Sequence, residues 1–409
     1  MNIMLNRNFH NIKPMIDRLI SENNKTIRLD LEFNENQNPN KDRFELSYLR
    51  GFLEALNKHY PNVNFKYNIT YVKHNDFAID SNKCKKLEEI NNYLIDNYNC
   101  ELLVRRENEV DRSFSFQSVI NANRQIDDIV NKVKEAKKAF PDISTFEQFM
   151  ILYEEVTDFI YKEEERYDQL NASHWISVIN SDTNVCTGYA SLMQELTKRI
   201  FNEKDVLVLE NDVDVFDKRR DELISAHANN VIFLKDDKYG INGLFYLDPC
   251  WDSIETKEDI KAYSYCCIPL CDILNHKFFE FKFRNVYRYN LEDSYNKFFN
   301  LDKTNRILKK IPLLKNLVDT DSNFYEDKTS LHYYIDNYEN LDNKSIVPLK
   351  AYINAFKIIG KQKGYIGEEL ETFVKDRIEK SIAKTKYYFD TSKTNSSLSS
   401  PIQNDSKQR

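Results

Sequence analysis

One cysteine in this chain stands where chemistry is easy to build. Cys186 lies in Asn184-Val185-Cys186-Thr187-Gly188-Tyr189-Ala190, and Gly188 is the sole glycine between Gly51 and Gly240. Apolar residues then recur at Tyr189, Leu192, Met193, Leu196 and Ile200, the spacing of one helix face. The pattern predicts that Cys186 sits at a helix N-terminus, where unpaired N–H groups and the helix dipole favour a thiolate. A thiolate nucleophile needs a base, and the base needs a group that orients it.

Of the seven histidines, His227 is the best placed. It opens the apolar run Ala226 to Leu234, with Asn229 two residues on and on the same strand face. Asp236-Asp237-Lys238-Tyr239-Gly240 supplies turn chemistry, and Leu244 to Trp251 reads as the returning strand of a hairpin. Asp248 stands on that return between Leu247 and Pro249. A carboxylate in an apolar run is costly unless it is paired. A turn centred at Asp237-Lys238 puts His227 directly opposite Asp248; a turn set by Gly240 leaves the two diagonal. The pairing is expected and the register stays open.

Elements on either side must hold these residues. Residues 1–25 carry helical spacing at Ile12, Met15, Ile16, Leu19 and Ile20. Thr26–Phe33 alternates as a strand, and a helix follows to about His59. Strands are expected at Val63–Val72 and Cys100–Val104, with helices at Lys85–Tyr98 and Phe116–Phe140. This alternation predicts a small α/β domain over 1–140. It has no Gly-rich phosphate loop, so nothing points to a nucleotide. Thr145–Glu165 reads as a helix capped by Ser144 or Thr145, with Phe159 and Ile160 on its buried face. Val206–Leu209 reads as a short strand and Asn211–Glu222 as a charged connection. Helical patterns near 293–317, 329–338, 346–359 and 366–387 predict a helical C-terminal region over 289–388. Residues 389–409, rich in Ser, Asn, Lys and Gln, have the composition of a disordered tail.

Composition narrows the class. A chain of 409 residues with 41% hydrophobic content has material for two to three domains. The net charge of −7 arises from mixed charges with no basic block, so neither nucleic acid nor an anionic membrane is an expected partner. The seven cysteines (Cys84, Cys100, Cys186, Cys250, Cys266, Cys267 and Cys271) are an odd number in a large chain, which reads as reduced thiols. Cys250, Cys266, Cys267, Cys271 and His276 lack paired Cys-x-x-Cys knuckles, so they read as small buried hydrophobes and no metal or other cofactor is expected. The first residues lack an apolar signal region and no run of about 18 apolar residues occurs. A cytoplasmic protein is the expectation, with non-classical export left open.

Taken together, Cys186-Thr187-Gly188-Tyr189-Ala190, then His227 with Asn229 or Asn230, then Leu247-Asp248-Pro249-Cys250-Trp251-Asp252 resemble the transglutaminase-like superfamily of papain-type cysteine enzymes, in its bacterial form. The resemblance covers roughly 145–285. Members typically show a Gly-Tyr pair after the cysteine, a His-x-Trp-Asn or similar strand and an Asp-Pro-Thr-Trp-Asp strand. Here Asn184 stands where glycine is usual, Ala228 where Trp is common, and Cys250 where Thr is common. Asn184 would serve in place of glycine through its tolerance of a left-handed backbone.

The resemblance implies an α+β core over 141–288: a helix-borne cysteine packed on an antiparallel sheet that carries His and Asp. It also implies a Cys186–His227–Asp248 triad that acts on an amide or peptide bond of a protein or peptide substrate through a thioester, with hydrolysis favoured over amine transfer. The oxyanion would lie near the Cys186 N–H, with Trp175 or Tyr167 as candidates for a further donor and Asn229 as support. Trp251 reads as packing rather than chemistry. Two other readings remain: a catalytically idle fold used for protein binding, and an exported deamidase acting on a glutamine.

Overall fold

The computed structural model describes residues 2–4, 9–22, 26–34, 46–74, 77–107, 109, 111–162, 169–256, 263–274, 279–284 and 346–389. Tyr167, His276, the expected helices at 293–317 and 329–338 and the 389–409 tail, save for Phe389 itself, lie outside them. The chain divides into two compact units, Met1–Gln125 and Ile126–Arg409.

The first unit is built on a sheet of order β1-β2-β3-β4-β5. Its strands are β1 (Asn2–Met4), β2 (Thr26–Asn34), β3 (Asn64–Lys73), β4 (Leu102–Arg106) and β5 (Phe114–Ser115). The first four run parallel, and β5 returns antiparallel on β4. Parallel neighbours need crossovers. Here they contain α1 (Phe9–Ser21), α2 (Leu46–His59) and α3 (Ser81–Tyr98). Asp80 caps α3 by accepting the N–H groups of Asn82 and Lys83. The strand β1 falls within the stretch that helical spacing alone assigns to a helix. Three residues are too few to show a period, and only pairing with β2 defines them. The helix α4 (Phe116–Ala139) leads out of this unit.

The second unit holds the expected antiparallel sheet, in the order β10-β6-β7-β8-β9. Its strands are β6 (Val206–Asp217), β7 (Glu222–Asp236), β8 (Ile241–Leu247), β9 (Ile268–Pro269) and β10 (Phe279–Arg284). The supposed connection at 211–222 is mostly strand. Asn211, Val213 and Val215 are buried on one side of it while Glu210, Asp212 and Asp214 alternate with them, so the acids disguise a period of two. The return of the hairpin also ends sooner than its apolar run. The strand stops at Leu247, and Pro249-Cys250-Trp251 begins α9 (Pro249–Thr256). Asp248 accepts the Trp251 N–H at 3.0 Å, as an N-cap does, with Pro249 at the first helical position.

Helices cover the sheet. They include α5 (Thr145–Thr157), α8 (Cys186–Ile200) and α10 (Leu270–Leu274), while α7 (Trp175–Ile179) packs on α8 and α6 (Gln169–Ala172) on α7. Of the two expected caps of α5, Ser144 and Thr145, it is Ser144 that serves, in a capping box with Glu147. That carboxylate also takes the Tyr239 hydroxyl at 2.5 Å and the Lys238 ammonium at 2.9 Å, which ties the helix start to the β7–β8 turn. The helix ends at Thr157, short of Glu165, and Ile160 is 58% exposed rather than buried. The chain leaves the helix because its next carbonyls have other donors: Phe159 O takes the Tyr189 hydroxyl and Ile160 O the Asn184 amide.

Two C-terminal helices, α11 (Leu349–Gln362) and α12 (Gly367–Phe389), pack with α5 and each other. Phe146 meets Tyr352 edge-on, and Tyr263 stacks on Phe356. Glu154 of α5, 1% exposed, pairs with Lys363 at 2.5 Å and Arg377 at 3.3 Å.

Candidate active site

Cys186 is the first residue of α8, as its helical spacing predicts, and no side chain caps that end. It is half-buried. Gly188 is required by packing. A Cβ there would lie 2.8 Å from Val178 Cγ2 and 3.0 Å from the Ala172 carbonyl oxygen, so α8 can lie against α7 only without a side chain at this position.

Asn184 acts differently from expectation. It is not among the residues with positive φ, so it is no substitute for a left-handed glycine. It is fully buried. Its side chain donates to the carbonyls of Ile160 and Asp182 and accepts the Lys162 N–H, while its own N–H donates to Lys162 O. It pins the loop that leads into Cys186 by hydrogen bonding, since a buried amide must find partners.

The register places Val213 opposite His227 and Asn230 opposite Leu247. Asp248, one residue past β8, is therefore diagonal to His227 rather than opposite it. The four-residue reversal between Asp236 and Ile241 sets this, as the Gly240 turn implies. Gly240 takes φ +67° there. His227 Nε2 lies 2.7 Å from Asp248 Oδ2. The Cys186 sulfur accepts the Ala228 N–H at 3.3 Å, which brings it beside the same strand. With Nε2 engaged by Asp248, Nδ1 is the ring nitrogen that remains for a thiol partner.

The electrostatics favour an imidazolium. Burial alone would push the His227 pKa down. The Asp248 carboxylate, hydrogen-bonded to the ring, and the nearby Cys186 sulfur outweigh it and raise the pKa from 6.5 to about 10. The Trp251 indole stacks on the imidazole with centroids 4.4 Å apart and planes 11° apart, a geometry that favours the cation. Tyr265 in turn meets Trp251 edge-on. The surface that Trp251 packs is the histidine ring itself.

Asp248 is fully buried and well supplied with donors. Besides His227 and the Trp251 N–H, the Tyr246 hydroxyl donates to Oδ2 at 2.9 Å, and the Asp248 N–H donates to Tyr265 O. Sequence reading missed Tyr246. The signal was present, because a residue two positions before Asp248 in a strand shares its face. A second buried carboxylate, Asp252, accepts the Tyr153 hydroxyl at 2.5 Å and the Tyr265 N–H at 3.2 Å. It braces the loop that holds Asp248.

The supporting candidates separate. Asn229 is fully buried and opposite Asn211, on the strand face of His227. Both of its amide atoms are buried with no hydrogen-bond partner among the described residues. Trp175 is 5% exposed at the start of α7, against the His174 ring. No hydrogen bond among the described residues links it to Cys186. Tyr167 lies outside the described residues. Among the described residues every cysteine whose side chain is placed is a free thiol, and no group of three or more His, Cys, Asp and Glu could hold a metal ion. No described helix is long and apolar enough to cross a membrane.

No family model matches this chain, and no curated protein matches it.

Proposed function

We propose that this protein is a transglutaminase-like cysteine enzyme that acts on an amide or peptide bond, with Cys186 as nucleophile, His227 as its acid–base partner and Asp248 as the orienting carboxylate. The observation that carries the reading is the His227 ring held by Asp248 at 2.7 Å, with the Cys186 sulfur on the neighbouring Ala228 N–H of the same strand and at an uncapped helix start. The sulfur of the Cys186–His227 ion pair attacks the carbonyl carbon. The negative oxygen that develops is stabilised by first-turn N–H groups of α8, the Cys186 N–H among them. His227 passes its proton to the departing nitrogen, the C–N bond breaks, and a thioester remains on Cys186. Water then attacks the thioester and gives a proton to His227, and the sulfur leaves as the thiolate, which restores the ion pair and frees the carboxylic acid, whose proton passes to solvent. A primary amine in place of water would make the same step a transfer.

Labelling with iodoacetamide at about pH 6, where ordinary thiols react slowly, tests the reading. Cys186 should react ahead of every other cysteine. The signal should vanish in Cys186→Ala and fall at least about tenfold in His227→Ala. Labelling of Cys186 no faster than of the remaining thiols would sink the proposal. It would also favour the idle, protein-binding fold. Release of ammonia from glutamine peptides, as against cleavage of the chain, separates a deamidase from a peptidase.

A further inference from the structure

We propose that Tyr265 is a positioning residue for the His227–Asp248 pair and that the C-terminal helices α11 and α12, by holding it, set the reactivity of Cys186; this rests on the cysteine-nucleophile reading above. Tyr265 touches the supports of both partners. Its carbonyl accepts the Asp248 N–H at 3.1 Å, and its N–H donates to Asp252 Oδ1 at 3.2 Å. Its ring meets Trp251 edge-on with centroids 4.9 Å apart, and Trp251 stacks on His227 at 4.4 Å. The carboxylate is thereby held through its backbone and the imidazole through the indole. A shift of Tyr265 disturbs the His227–Asp248 contact from both ends. Reacting groups tolerate little of this: a misplacement of about 1 Å can cost about 100-fold in rate.

Tyr265 itself lies in a turn. The helix α9 ends at Thr256 and β9 starts at Ile268, and residues 263–267 belong to neither helix nor strand. Cys267 takes φ +55°, a left-handed backbone that a residue with a Cβ keeps only where its surroundings fix it. The C-terminal helices fix both flanks of Tyr265. Two residues before it, the Tyr263 N–H donates to Ser381 Oγ of α12 at 3.2 Å. The Tyr263 ring stacks on Phe356 of α11, and the Arg377 guanidinium of α12 lies 5.7 Å from its centroid. One residue after Tyr265, the Cys266 carbonyl accepts the Tyr352 hydroxyl of α11 at 3.1 Å. The helix α5 adds Tyr153 against Tyr263 and Met150 against Cys266, and its Glu154 takes Lys363 and Arg377. The docking of α11 and α12 is thus carried to the candidate triad through three consecutive contacts: helix to turn, turn to Trp251 and Asp248, and these to His227.

Iodoacetamide labelling of Cys186 in the full chain, from about pH 5 to about pH 9, tests this. A thiolate held in an ion pair labels at acidic pH, whereas a lone thiol labels only towards its ordinary pKa of about 8.5. In Tyr265→Ala the rate at about pH 6 should fall about tenfold or more and approach that of the unaltered chain at about pH 9. Tyr265→Phe keeps the ring and should restore the profile. Tyr352→Phe combined with Ser381→Ala removes only the two hydrogen bonds from the C-terminal helices. It should move the profile in the same direction, by about fivefold or more at about pH 6, with a cooperative melting transition retained. Should Tyr265→Ala fail to fold, this milder pair of changes decides. A fall of equal size at every pH, or an unchanged profile in the double variant while Cys186 of the unaltered chain labels first, would overturn the positioning role and leave the cysteine reading intact. If Cys186 of the unaltered chain labels no faster than the other thiols at about pH 6, the cysteine reading falls and the positioning role falls with it.

Discussion

The Cys186–His227–Asp248 cluster stores its polarity in one proton. The pKa of His227 in the folded chain, about 10, lies above its ordinary 6.5. The stabilisation from its charged form is complete below about pH 6.5 and is lost as pH rises towards 10. Burial raises the Tyr153, Tyr189 and Tyr246 hydroxyls above 10, so their contribution declines only at higher pH. Thermal unfolding followed from pH 6 to pH 10 should show this loss. In Asp248→Asn the imidazole keeps burial but loses its counter-charge, so the fall should move towards neutral pH. An unchanged profile in that variant would show that Asp248 does not hold the proton. Tyr246→Phe removes a buried donor to Asp248 and should cost about 1–2 kcal/mol in urea unfolding.

At the scale of the element, α8 depends on Gly188 more than on its propensity. Adding a methyl group should gain up to about 1 kcal/mol of helix preference. It also meets the Ala172 carbonyl, which cannot rotate away, and Val178. Overpacking of this kind costs about 1–3 kcal/mol. Gly188→Ala should therefore lower the melting temperature and move the Cys186 end of the helix, with a larger loss of labelling than of stability. Gly51, in the middle of α2, has nothing within 4 Å of an added Cβ. Gly51→Ala should raise stability by about 0.5–1 kcal/mol and leave labelling unchanged. If both variants behave alike in thermal melts and labelling, steric exclusion is not why Gly188 stands there.

For the second unit as a whole, Glu154 connects α5 to both C-terminal helices. It is buried with Lys363 and Arg377 as partners, and the Arg377 side chain is itself 12% exposed. Removing one member of a buried ion pair costs about 3–5 kcal/mol, because the remaining charge is left without compensation. Glu154→Ala should lose stability on that scale in denaturant titration, with amide exchange rising first in residues 346–389. Glu154→Gln should lose less, since it keeps a hydrogen-bond acceptor. Exchange that rises evenly over the whole unit would mean that α11 and α12 are not docked through this residue.

The chain's order of residues already indicated the helix under Cys186, the strand of His227 and an α5 cap at Ser144 or Thr145, because each follows from local spacing or from a side chain that satisfies its own backbone. The partnership of His227 with Asp248 was legible as a need, a carboxylate in an apolar run that required a partner. Its diagonal register was not, since a turn of one length or another leaves the same apolar pattern. The acids of β6 hid a strand, because their alternation has meaning only with a buried face behind it. The Trp251 stack on His227, the Asn184 pin and the Tyr153–Asp252 bond were out of reach of local spacing. Each depends on where another segment ends or folds back, and that is decided only when distant surfaces compete for the same buried space and the same hydrogen bonds.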